Sequence, residues 1–107
     1  MNATRRLGPA VQAEVTAAYN ALPHARITER DGEAQVFTAS IAELELWFMA
    51  LGGQITRQAA GTKAALWILH TNTDHGHGAP VAVYALAADT DEIDPACADA
   101  VTSLPAA

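Results

Sequence analysis

Within eight residues the chain carries His70, Asp74, His75 and His77. Imidazole nitrogens and a carboxylate are the donors that a divalent transition metal such as zinc takes, and a catalytic centre needs three of them plus an open coordination position. These four residues are the candidate metal ligands, and through a metal they would serve an enzyme or a small-molecule binder. Their spacing argues against a preformed site. His75-Gly76-His77 sits in a glycine-flanked stretch and not at the i, i+4 spacing of a helix-borne pair. His70 shares an alternating face with Leu66 and Ile68, where a histidine hydrogen-bonded through one nitrogen is the ordinary occupant.

Other chemistry has less to draw on. The two serines are Ser40, spent on a helix cap, and Ser103 near the C-terminal end. Cys97 stands among acids, which oppose a thiolate. Gly61-Thr62-Lys63 inverts the order of a phosphate-binding loop. Glu43 and Glu45, two apart on a helix, point to different sides. Asp89, Asp91, Glu92 and Asp94 lack the glycine turn and closing glutamate of a calcium loop. The expectation is a chain without catalytic residues or a resident cofactor.

Charge narrows the partners. Twelve acidic residues face six basic ones, for a net charge of −6. All six basic residues (Arg5, Arg6, Arg26, Arg30, Arg57, Lys63) precede position 64 and are balanced there by six acids. The excess therefore falls on Asp74, Asp89, Asp91, Glu92, Asp94 and Asp99. Scattered, balanced cations do not neutralise a phosphate backbone, so nucleic-acid binding is not expected. The acidic stretch reads as a solvated tail, or as a decoy that occupies a nucleic-acid-binding protein through residues 89–99.

The length of 107 residues suits a single domain, 1–107, with a flexible start (1–8) and a frayed end (104–107). One cysteine makes no internal disulfide, and no run approaches the roughly 18 apolar residues of a membrane span. A cytoplasmic protein without membrane contact is expected.

The elements follow from periodicity. Gly8-Pro9 opens a helix over 9–22, on which Val11, Val15, Ala18, Tyr19 and Leu22 share a face. Asp31-Gly32 joins strands 24–30 and 33–39 as a type I′ hairpin, pairing Arg30 with Glu33, Ile27 with Val36 and Arg26 with Phe37. Ser40-Ile41-Ala42-Glu43 is a capping box, with Glu43 reaching back to the Ser40 amide. The helix it starts runs over 41–51 and stops at Gly52-Gly53. Ile41, Leu44, Trp47, Phe48 and Leu51 form its core face, while Ala42, Leu46, Met49 and Ala50 form a second apolar face that requires a cover. Strands are expected at 54–58, 64–71 and 81–87, a long loop at 72–80, and a short last helix from Pro95 to near Ser103.

The whole is an α+β two-layer sandwich, with a mostly antiparallel sheet of about five strands and its helices on one face. Trp47 and Trp67 belong to the core. The cover for Leu46, Met49, Ala42 and Ala50 is either the first helix with the C-terminal segment, or a second copy of the chain. The function this supports is a small acidic binding or regulatory module, acting through contacts with a protein partner and as a homodimer built on helix 41–51.

Overall fold

The computed structural model describes residues 8–74 and 76–104. Among them the fold is α+β: helix α1 (Pro9–Asn20), strands β1 (Arg26–Arg30) and β2 (Glu33–Phe37), helix α2 (Ile41–Leu51), strands β3 (Gln54–Ala59), β4 (Ala64–Asp74) and β5 (His77–Ala88), a 3-10 helix (Pro95–Ala100) and strand β6 (Val101–Ser103). One six-stranded sheet runs in the order β1-β2-β5-β4-β3-β6. It is mixed, because β2 pairs with β5 and β3 with β6 in parallel. The expectation of about five mostly antiparallel strands holds approximately: three of the five pairings are antiparallel, while a sixth strand and two parallel pairings were not expected.

Local signals act where the chain is short-range. Asp31 (φ 53°) and Gly32 (φ 79°) both take positive φ, as a type I′ turn requires. The register of β1 on β2 is the expected one, Arg30 with Glu33, Ile27 with Val36 and Arg26 with Phe37. The ion pair beside the turn differs: Arg30 Nε lies 3.8 Å from Asp31 Oδ2, not on Glu33, and both partners are in solvent, where such a pair contributes little. The Arg26 guanidinium stands 4.9 Å above the Phe37 ring.

At α2 the Ser40 hydroxyl accepts from the Glu43 amide at 3.2 Å. Glu43 Oε1 in return accepts from Ala39 N at 2.9 Å, one residue before the expected Ser40 amide. Ile41, Leu44, Trp47 and Leu51 are buried against β4 and β5, with Phe48 partly buried beside them.

Helix α1 reverses its expected face. Ala13 and Ala17 are buried, while Val11, Val15 and Tyr19 are exposed, Tyr19 to 89%. Small residues let the helix approach β1, β2 and β5 closely, and the larger side chains are left outside. Its first turn is capped from across the fold, Glu29 Oε1 accepting from Ala10 N at 3.1 Å. Its end is set by Ala21 in the left-handed region, where Leu22 N donates to Ala17 O at 2.8 Å.

The expected loop at 72–80 is largely strand. β4 continues to Asp74 and β5 begins at His77, with a register irregularity between Asn72 and Asp74. Composition misleads here because the polar and glycine-proline residues are held by tertiary contacts. Gln12 Oε1 on α1 accepts from Ala79 N (3.1 Å) and Thr73 Oγ1 (3.3 Å), and Thr73 Oγ1 also accepts from Ala79 N (3.0 Å).

The acidic stretch is folded. Asp94 caps the 3-10 helix by accepting from Ala96 N at 2.8 Å. This helix ends at Ala100, and the residues expected to complete it form β6 instead. Of the termini expected to be loose, Leu104 donates to Arg57 O at 2.8 Å, while 1–7 and 105–107 lie outside the described residues.

Candidate functional site

The two groups of candidate residues fall on different parts of the fold. His70 lies on the sheet face away from the helices, exposed, with Nε2 3.4 Å from Thr56 Oγ1. Asp74 and His77 are register partners at the far end of the β4-β5 hairpin. Four steps of strand separate His70 from Asp74, about 13 Å at roughly 3.3 Å per residue. His75 lies outside the described residues, and among those described no three His, Cys, Asp or Glu side chains gather as a metal would require.

Ala42, Leu46, Met49 and Ala50 stand together on α2, on the side opposite Leu44 and Trp47. Leu46 is 50% and Met49 67% exposed, Ala42 is exposed and Ala50 half-buried. Ala50 packs partly on the core, but neither α1 nor the C-terminal segment covers Leu46 and Met49. The 3-10 helix instead stops beside α2, leaving a groove of about 170 Å³ bounded by Ala42, Leu46, Met49, Ala96 and Cys97. A second groove, of about 270 Å³, has Val15 and Tyr19 of α1 on one wall and Ala50 of α2 on the other. The outer surface of the helix layer therefore carries apolar side chains from both helices. The open sheet face also carries large groups, but they shelter one another. The Phe37 and Tyr84 rings stack at 5.3 Å and 16°, and of the large apolar side chains there only Leu86 is exposed among the described residues.

Glu45 anchors the C-terminal segment, Oε2 accepting from Asp94 N at 2.6 Å. The sequence hid this role, because nothing local links positions 45 and 94. Cys97 is buried beside them. Burial first, then the Glu45 and Asp94 carboxylates, push its thiol above the ordinary range. The folded state holds this proton more tightly than the unfolded chain, so its contribution to stability is intact below the ordinary thiol pKa of about 8.5 and is lost as pH rises through the folded value. Denaturant melts above about pH 8.5 are expected to show a steeper loss of stability in the wild type than in Cys97→Ala. Equal slopes would refute the coupling.

A third feature lies on the helix side of the sheet beyond α2. Segment 89–98 borders β3 and β4 and leaves a wide-open groove of about 490 Å³ lined by Arg57, Trp67, Asp89, Asp91, Glu92 and Ile93 among others. Trp67 is 3% exposed, and its Nε1–H has no acceptor among the described residues. An unmade buried donor of this kind costs about 1–3 kcal/mol. The Arg57 guanidinium stands 5.5 Å from the centre of the Trp67 ring, and its Nη2 donates to the Asp89 carbonyl at 3.2 Å.

Comparison with protein-family models, curated proteins and solved structures finds no match. The functional reading therefore rests on the chain's own residues. No helix among the described residues is long and apolar enough to cross a membrane.

Proposed function

We propose that this protein is a small acidic binding module that works through protein contacts in the cytoplasm, as a homodimer joined by the outer face of α2. The observation that carries this reading is the exposure of Leu46 and Met49 beside Ala42 on a helix whose other face is fully used by the core. Positions 42, 46 and 49 form one ridge along the helix. Two-fold pairing of such ridges, antiparallel, sets Leu46 against its own copy and the small Ala42 against the long Met49, a self-complementary arrangement of the kind a symmetric dimer requires.

Size decides how much more must take part. A stable interface buries about 800 Å² per partner, more than three or four side chains supply. Val15 and Tyr19, which border the same helix layer, provide the remainder. The carboxylates of Glu43 and Glu45 are each turned to a backbone amide within the chain.

Light scattering on a size-exclusion column tests this with wild type and Leu46→Glu. A wild-type dimer is expected, and two glutamates meeting at the dyad should raise its dissociation constant at least roughly 100-fold, about 2.8 kcal/mol at 1.4 kcal/mol per tenfold. Unchanged circular dichroism would show that the variant still folds. A monomeric wild type at high concentration, or a dimer unaffected by the substitution, would overturn the reading.

A further inference from the structure

The two central strands are apolar on both faces. β4 reads Ala65-Leu66-Trp67-Ile68-Leu69 and β5 reads Val81-Ala82-Val83-Tyr84-Ala85-Leu86, whereas β2 opens Glu33-Ala34-Gln35-Val36 and β3 opens Gln54-Ile55-Thr56. Alternation of the second kind marks a strand wet on one side, and a continuous apolar run marks one covered on both. The fold supplies one cover. The core joins Leu44 and Trp47 of α2 to Trp67, Leu69 and Val83, and takes in none of Leu66, Ile68, Tyr84 and Leu86. Those four, with Phe37 beside Tyr84, occupy the side of the sheet away from the helices.

Their registers set them in rows. One row runs Phe37, Tyr84, Ile68 and Thr56, the next Gln35, Ala82, His70 and Gln54, and a third pairs Leu86 with Leu66. In the order β1-β2-β5-β4-β3-β6 the middle of the sheet falls between β5 and β4. A two-fold axis there, parallel to the strands and in the plane of contact, would lay β5 on β4 of a second copy, β2 on β3 and β1 on β6. Each row then meets itself reversed. Tyr84 comes over the second copy's Ile68, Leu86 over its Leu66, the small Ala82 over the larger His70, and the Gln35 amide over that of Gln54. Stacked sheets cross at about 30°, which keeps such central pairs in contact while the corners diverge.

Charge and area favour this occupant. Positions 54, 56, 58, 66, 68, 70, 82, 84 and 86 carry no Asp, Glu, Lys or Arg, in a chain of net charge −6. A charged partner gains nothing at such a surface, whereas two copies of an acidic chain can meet there without bringing their excess charge together. Strands about 4.8 Å apart and about 3.3 Å per residue give the six-stranded face roughly 600 Å² before corrugation, of the order of the roughly 800 Å² per partner that a stable dimer buries.

We infer that the open face of the sheet packs on the same face of a second copy, about a two-fold axis between β4 and β5. The contact lies on the far side of the molecule from α2, so it goes beyond the α2 reading and does not compete with it. It is the weaker of the two, because Leu66, Ile68 and Tyr84 are already half-buried within one chain.

Sedimentation equilibrium on Leu46→Glu isolates this contact, since that substitution removes the one on α2. A monomer–dimer equilibrium is expected at high protein concentration. Adding Leu86→Lys should weaken it at least about 10-fold by placing a lysine over the second copy's Leu66. Leu86 is 62% exposed, so the chain should keep its fold, which circular dichroism checks. NMR of Leu46→Glu should show amide shifts at 66–70 and 82–86 that grow with concentration, while those of α1 stay fixed. Leu86→Lys alone should leave the α2 dimer intact. If the α2 reading fails, Leu46→Glu behaves as wild type and sensitivity to Leu86→Lys still reads the sheet contact. Association indifferent to Leu86→Lys, or shifts confined to other surfaces, would overturn the inference. So would a Leu46→Glu chain monomeric to millimolar concentration, which would leave the face to an uncharged surface of another protein.

Discussion

Trp47→Ala is expected to cause the deepest loss of thermal stability of any single side-chain truncation in the core. The side chain is fully buried at the centre of α2's inner face, and its Nε1 donates to Pro23 O, tying the turn after α1 to the second helix. Removing a large aromatic group from a core costs about 3–5 kcal/mol, because the surroundings close only partly over the space. A whole domain has only about 5–15 kcal/mol of stability. At about 4–8 °C per kcal/mol for a chain of this size, the melting temperature should fall by roughly 12–40 °C. Trp47→Phe keeps most of the volume but strands the Pro23 carbonyl, so it should lose less, about 1–3 kcal/mol. Thermal melts by circular dichroism read both variants, and a loss for Trp47→Ala no larger than that for the exposed Leu46→Ala would show that the centre of the core lies elsewhere.

The second large effect is expected at the junction of α2 and β3. Gly53 has φ 116°, and a Cβ there would collide with the backbone carbonyl oxygen of His70 and stand 3.0 Å from Thr71 Cβ. The oxygen belongs to β4, a strand paired on both sides, so it has no room to retreat. Gly52, next to it, also has positive φ (73°), yet a Cβ on it meets nothing within 4 Å. The pair separates backbone strain from collision. Gly52→Ala should cost about 1 kcal/mol, and Gly53→Ala more than about 3 kcal/mol. Equal losses in denaturant melts would mean that β3 shifts freely on β4.

What could be read from the residues in advance follows the range of the interactions. The hairpin register, the Ser40 cap and the inner face of α2 depend on neighbours within a turn or two, and they appear as the pattern implies. Val11, Val15 and Tyr19 have the right spacing for a core stripe on α1. The helix nonetheless buries Ala13 and Ala17, because closeness to the sheet outweighs the area of the larger groups, a choice made by the partner surface and not by the helix. Residues 72–80 look like a loop because Gln12, more than sixty positions away, supplies an acceptor that helps hold them as strand. The same limit hid the C-terminal segment. Asp89 to Asp99 read as solvated charge, and it takes the Glu45 contact and the β3-β6 pairing to make them a wall. Of the candidate surfaces, the Ala42/Leu46/Met49 face was visible from periodicity, whereas the groove beside Trp67 exists only through long-range packing.

The three residues of β6 also bear on how the protein is made. β3 pairs with β4 along six residues on one side, but its other side is met, among the described residues, only by the short run from Val101 to Leu104. During synthesis β1 to β5 emerge before β6, and for that interval β3 presents a bare row of amides and carbonyls, a template on which another nascent chain could add a strand. Closing that edge requires a parallel return across more than forty residues, which is slow compared with forming a hairpin. The short final strand therefore acts as a latch, and the interval before it shuts is the period in which newly made chains are most exposed to aggregation.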